Sequence, residues 1–311
     1  MIISASRRTD IPCFYSDWFF NRIKEGYVLV RNPMNTHQVS KIDLSPRVVD
    51  GIVFWTKNPL SMLNRLDELA MYDYYFQFTV NAYGKDVETN LPSKQETIIP
   101  VFQKLSSIIG KEKVVWRYDP IFLNEKYTVD YHCKYFEVLA DKLGQYTEKC
   151  TISFLDMYNH TCNNTRLLKI IPLAKEQMLE LGERFSKIAY NSGLQIDTCA
   201  EEIDLSQYGI SHAHCIDKER FEKIAGCKFE VGKDANQRKE CGCVASVDIG
   251  SYHTCKNGCL YCYANHSKKL AEKNYKQHNP LSPFLFGQLE KEDKVTEKEM
   301  KSCKDCQLEL F

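Results

Sequence analysis

Short apolar runs alternate with longer amphipathic stretches along the chain. "IISAS" (2–6) precedes "SDWFFNRIKEG", "GIVFWTKNP" (51–59) precedes "LSMLNRLDELA", and "YYFQFTVN" (74–81) precedes "QETIIPVFQKLSSIIG". The order repeats with "KVVWRYDP" before "VDYHCKYFEVLADKLG" and "CTISFLDM" before "KEQMLELGERFSKIAYNSG", then "LQIDTCAEE" and "CVASVDIG". Strand-like runs separated by stretches with helical periodicity predict a parallel α/β protein. Residues 174–190 carry Met178, Leu179, Leu181, Phe185, Ile188 and Ala189 at helical spacing, with Gly193 as the stop. "YVLVRNP" and "HQVSKIDL" pair as a hairpin in this reading, and "ANHSKKLAEKNYKQH" is a late helix that Asn265 would cap. The fold class is therefore α/β, a full or partial (β/α) TIM-like barrel. Residues 1–240 form its main part, 241–290 a cysteine-rich segment completing it, and 291–311 a charged tail.

Parallel barrels carry their reactive groups at the carboxyl ends of strands. Polar residues collect there: Arg7, Arg8, Thr9 and Asp10 after the first run, Lys57 after the second, and Asn81 after the third. Arg117 and Asp119 close "VVWRYDP", and Glu201 closes "IDTCAE". Charges that abut apolar strands must be paired or must face a cavity. Arg7, Asp10, Lys57, Arg117, Asp119 and Glu201 are thus the expected catalytic groups. A pocket with Arg7, Lys57 and Arg117 would favour a phosphate or carboxylate.

The chain holds 311 residues, long enough for one large core, and balances 41 Lys and Arg against 41 Asp and Glu. That balance argues against a strong global grip on duplex nucleic acid. The start has no signal-peptide core and no stretch has the length of a membrane span, so a cytoplasmic protein with no membrane partner is expected.

Fourteen cysteines are present, nine of them from Cys215 to Cys306. In a reducing compartment such a distribution speaks for metal ligation rather than disulfides. "CKNGCLYC" sets Cys255, Cys259 and Cys262 on a loop between a strand-like and a helix-like segment, with Gly258 easing the turn. Three thiolates there suit a 4Fe-4S cluster with one open iron, metal ligands from this loop alone. Zinc is the competing metal, giving a zinc-stabilised nucleic-acid-binding module without catalysis as the alternative function. Cys199, Cys215, Cys241 and Cys243, with Cys227 a replacement for one member, make an expected auxiliary site for a second iron-sulfur cluster or zinc. Cys303 and Cys306 stand in the tail, and the nearby His212, His214, His253 and His266 read as surface or supporting residues.

The motif resembles the CxxxCxxC signature of the radical S-adenosylmethionine (SAM) superfamily, including the aromatic Tyr261 before the last cysteine. With "SASRRTDIP", "FWTKNP", "WRYDPI", "CAEEIDL" and "CLYCYAN", the chain also resembles a bacterial family known as domain of unknown function 1848. The superfamily resemblance implies an enzyme that reductively cleaves S-adenosylmethionine at the cluster and produces a 5′-deoxyadenosyl radical. Its substrate would be a small metabolite, a peptide or a nucleic acid. It implies an electron donor such as flavodoxin or ferredoxin, with Tyr261 near the adenine. The cluster loop usually follows the first barrel strand, so its late position implies a circular permutation that closes the barrel beside "IISAS". Arg8, Thr9 and Asn81, with Arg7 and Asp10, are then the cofactor-facing candidates, since no Gly-Gly-Glu stretch is present.

Overall fold

The computed structural model describes residues 1–157 and 159–305. In chain order the elements begin with strand β1 (Ile2–Ala5), helices α1 (Ile11–Phe14) and α2 (Ser16–Glu25), and strands β2 (Tyr27–Asn32), β3 (Asn35–Asp43) and β4 (Gly51–Thr56). A 3-10 run at Leu60–Leu69 follows, then β5 (Tyr74–Thr79), α3 (Ile99–Ile109), β6 (Val114–Ile121), α4 (Val129–Leu143), β7 (Lys149–Phe154) and α5 (Asn159–Thr165). The chain continues through α6 (Lys175–Asn191), β8 (Gln195–Thr198), β9 (Ser211–His212), α7 (Lys218–Ala225), β10 (Lys228–Phe229) and β11 (Val247–Asp248). It ends with α8 (Lys268–Tyr275), β12 (Lys294–Glu297) and β13 (Lys304–Asp305).

Eight strands make one sheet in the order β11-β1-β4-β5-β6-β7-β8-β9. Every pairing in it is parallel, so the carboxyl ends share one edge. The architecture is an α/β fold with a barrel-like parallel sheet. β2 and β3 form the expected antiparallel hairpin, β12 joins β3 in parallel, and β13 pairs with β10. Strand β12 is exposed throughout.

Alternation along the strands separates two faces. Phe54, Phe76 and Trp116 join the helix-side core, where Phe19 meets Phe54 at 5.2 Å and Trp116 stacks on Phe136 at 4.9 Å. Their neighbours Val53, Tyr75 and Val115 belong to the second core, with Phe221, Phe229, Cys215, Cys241 and Cys243. The segment 213–244 thus fills the opposite face of the sheet. Gly51 makes this packing feasible, because a Cβ there would run into the Phe221 ring.

Two local expectations change. "LSMLNRLDELA" winds as a 3-10 helix, and its buried Leu63, Leu66 and Leu69 recur every three residues, the period of that helix. Helix α8 is capped by Ser267, whose side chain accepts from Leu270 N, and not by Asn265. Asn265 instead donates to Cys255 O at 2.7 Å. Among the described residues no helix is long and apolar enough to cross a membrane.

Candidate functional site at the carboxyl edge of the sheet

Asp248 at the end of β11 ties the two chain regions together. It accepts from Ser4 Oγ at 2.7 Å, Ser6 Oγ at 2.6 Å, Arg7 N at 2.9 Å and Gly250 N at 2.9 Å. Those bonds fix the backbone of Arg7 just beyond β1. The Arg7 guanidinium lies 5.5 Å from the Trp55 ring centre. Its Nε and Nη2 are buried with no hydrogen-bond partner among the described residues. Burial opposes its charge, while Cys243, Cys215 and Asp248 favour it. Arg8 turns to Tyr252, 5.2 Å from the ring centre, and approaches Asp248 at 3.9 Å. Thr9 is buried, and its hydroxyl has no partner among the described residues.

Asp10 is a structural clamp. It receives Cys13 N at 3.0 Å, Thr56 Oγ1 at 2.7 Å, Lys57 N at 2.8 Å and Asn257 Nδ2 at 2.9 Å. Its burial nevertheless pushes its carboxyl above the usual range, against those four donors. Lys57 Nζ reaches Glu88 at 2.8 Å and the Tyr261 hydroxyl at 2.8 Å. Glu88, 1% exposed, also pairs with Lys94 at 2.6 Å and accepts from Tyr261. Burial alone would raise Glu88, yet Lys57 and then Lys94 outweigh it and hold the carboxyl at about 2. Asn81 links this group to the next one: its Nδ2 donates to Tyr261 Oη at 3.1 Å and to Asp119 O at 2.8 Å, and its Oδ1 accepts from Asp119 N at 2.8 Å.

Arg117, on β6, is 4% exposed and engaged through all three of its nitrogens. Nε and Nη2 meet Asp119 Oδ2 at 2.9 and 2.6 Å, and Nη1 meets Gln77 Oε1 at 3.3 Å and Cys215 Sγ at 2.9 Å. Ser153 donates to the other Asp119 oxygen. Glu201, half-buried beyond β8, accepts from Phe154 N at 2.8 Å. Burial, with Asp156 and Asp119, pushes its carboxyl up to about 7. A carboxyl poised there can give or take a proton near neutrality.

The structure therefore brings Arg7, Arg117, Asp119, Glu201, Cys199, Cys215 and Cys243 into one chain of neighbours, and Asp10, Lys57, Asn81 and Tyr261 into an adjoining one. Reasoning from sequence missed Glu88, Asp248, Gln77 and Ser153. Glu88 sits in the polar stretch "GKDVETN", where nothing marks one acid as buried. Asp248 did carry a signal, as a lone acid inside an apolar strand run.

The metal reading is corrected. It made Cys255, Cys259 and Cys262 the chain's metal centre. Among the described residues, however, the one group whose three His, Cys, Asp or Glu ligand atoms gather within 4.8 Å of one another is His37, Glu290 and Asp293. The cysteine loop is held by chain contacts: Asn257 on Asp10, Thr89 on Gly258 O at 3.1 Å, and Asn90 on Lys256 O at 2.7 Å. Burial raises all three thiols, Cys259 to about 12. The radical SAM enzyme, its 4Fe-4S cluster, S-adenosylmethionine and a flavodoxin or ferredoxin donor are withdrawn with that ligand set. The same finding removes the second cluster or zinc at Cys199, Cys215, Cys241 and Cys243, and the zinc-stabilised nucleic-acid module. The gathered His37 set is itself engaged, since Asp293 accepts Arg31 Nη1 at 2.7 Å and Glu290 N at 2.7 Å. Cys303 contacts Asp50, and Cys306 lies outside the described residues.

A family model described as "Domain of unknown function (DUF1848)" matches residues 2–264. No curated protein and no solved structure matches the chain.

Proposed function

Because the chain belongs to the DUF1848 family, whose description states no activity, we propose from its own geometry that it is an acid–base enzyme for a small oxyanion-bearing molecule. The ligand, a carboxylate or phosphate, would sit at the carboxyl edge of the sheet, with Arg7 as its anion-binding group and Glu201 as the proton carrier. One observation carries this reading: two buried donors of the Arg7 guanidinium have no partner among the described residues. A buried charged donor left unmade costs on the order of 1–3 kcal/mol or more, which an incoming oxyanion would return. The planar fork of arginine suits a carboxylate or phosphate in two-point contact. Arg117 and Lys57 are already paired within the chain, so their part is to hold Asp119, Cys215, Glu88 and Tyr261 in place. Asp10 fixes the turn that carries Lys57. Arg8, Thr9 and Asn81 complete the wall nearest the loop 252–263.

The reading keeps a permuted barrel order. It is supported by β11 lying parallel beside β1, with the cysteine loop and α8 following it, so that residues 1–240 and 241–290 would share one site. Residues 291–305 would stay outside it, since β12 pairs with β3 and β13 with β10.

Isothermal titration calorimetry with inorganic phosphate and with malonate tests the proposal. The intact chain should bind one of these anions, and Arg7→Gln should weaken it roughly tenfold or more, about 1.4 kcal/mol. No heat with either anion, or equal binding by Arg7→Gln, refutes it.

A further inference from the structure

Cys199 stands directly after β8, and Cys215 lies between β9 and α7. Their sulfurs are 3.1 Å apart, and Arg117 Nη1 lies 2.9 Å from Cys215 Sγ. The Cys215 backbone is pinned by Tyr75 Oη at 2.7 Å and Gln77 Nε2 at 2.9 Å, both donating to its carbonyl. We propose that Cys199 and Cys215 form a redox-active dithiol that closes to a disulfide with a small hydroperoxide as oxidant.

A disulfide needs sulfurs about 2.05 Å apart, so closure asks for a movement of about 1 Å. Cys215 is the attacking sulfur. Hydrogen bonds from Cys199 and Cys243, and then the Arg117 charge, outweigh burial and hold Cys215 below an ordinary thiol, while Cys199 is raised and keeps its proton. The thiolate is the reactive form. Its sulfur attacks one peroxide oxygen: an S–O bond forms, the O–O bond breaks, and the departing alkoxide takes the Cys199 proton. Cys215 is thereby oxidised by two electrons and the peroxide reduced by two. The Cys199 thiolate then displaces hydroxide from Cys215, which leaves as water after taking a proton from solvent. Two thiols and one hydroperoxide give one disulfide, one alcohol and one water. Cys215 is buried and Cys199 half-buried, which selects a small oxidant such as hydrogen peroxide. Cys255, Cys259 and Cys262, raised by burial, are the internal comparison and should react far more slowly. The inference stands apart from the anion-binding reading, since it needs neither Arg7 nor Glu201.

The test is peptide mapping of the intact folded chain after brief exposure to hydrogen peroxide and alkylation of remaining thiols. The expected product is a Cys199–Cys215 crosslinked peptide that dithiothreitol reverses. In Cys199→Ala, checked for folding by circular dichroism, Cys215 should still take the oxygen and be trapped by dimedone. The proposal fails if both cysteines stay alkylatable while the exposed Cys162 oxidises, or if Cys215 remains a free thiol in Cys199→Ala. It also fails if the pair becomes alkylatable only after a chelator is added. If Cys199→Ala does not fold, the wild-type map decides alone.

Discussion

Replacing Glu201 by glutamine should make the protein more stable, and increasingly so as pH rises. The carboxyl rises from 4.5 to about 7 on folding, so the folded chain holds this proton more tightly than the unfolded chain does. Below the unfolded value both states are protonated and the group is neutral in effect. Between the two values stability falls as pH rises, and above about 7 the full cost of a buried charge is present. About 1.36 kcal/mol per pKa unit makes that cost roughly 3 kcal/mol, a ceiling because the side chain is partly exposed. Glutamine keeps the oxygen that accepts Phe154 N and carries no charge for Asp119 and Asp156 to oppose. Urea unfolding of both proteins at about pH 5 and about pH 8 reads the effect. The stability difference in favour of Glu201→Gln should grow by about 2 kcal/mol between them. A difference that stays constant within about 0.5 kcal/mol would mean that Glu201 ionises normally, and the proton-carrying role assigned to it would fall.

Glu88→Gln should act in the opposite sense, leaving Lys57 and Lys94 facing a neutral group. A loss of about 3 kcal/mol or more near neutral pH is expected, read by thermal melting, and it should shrink as acid protonates the wild-type carboxylate toward its folded value of about 2. A melting temperature within experimental scatter of wild type would show that the pair is solvated. Gly51→Ala drives a methyl into the Phe221 ring and should cost about 1–3 kcal/mol. Adding Phe221→Leu should recover part of it, and a neutral single variant would show that segment 213–244 does not press on β4.

The strands and the edge-of-sheet residues were legible because each signal is local. Apolar runs mark buried strands, and a charge abutting such a run, as in "VVWRYDP", has to find a partner, which Arg117 does in Asp119 two residues later. What sequence could not supply was which partner satisfies which charge. Lys57 and Arg117 both read as open cations, and both are closed, one by an acid from an unremarkable polar loop and one by its own strand. Arg7 remains open among the described residues because Asp248, at the end of the neighbouring strand, spends its oxygens on Ser4, Ser6 and the two backbone amides of Arg7 and Gly250.

The cysteines show the same limit from the other side. Their density late in the chain predicted that they would meet, and Cys215, Cys241 and Cys243 are buried together on the filled face of the sheet, with Cys199, Cys227 and Cys303 packed against them. Density does not fix what a thiol meets, because a spacing along the chain says nothing of the groups that fold against it from elsewhere. Cys215 acquires a guanidinium from β6 and a second thiol from the end of β8. Cys259 lies near Lys57, but Glu88 takes that cation, and burial then keeps the thiol protonated. Cys215 and Cys259, each beside a buried cation, thus receive opposite chemistry, and the deciding residue in each case is an acid: Asp119, which takes Nε and Nη2 of Arg117 and leaves Nη1 to Cys215 and Gln77, and Glu88, which takes the Lys57 ammonium.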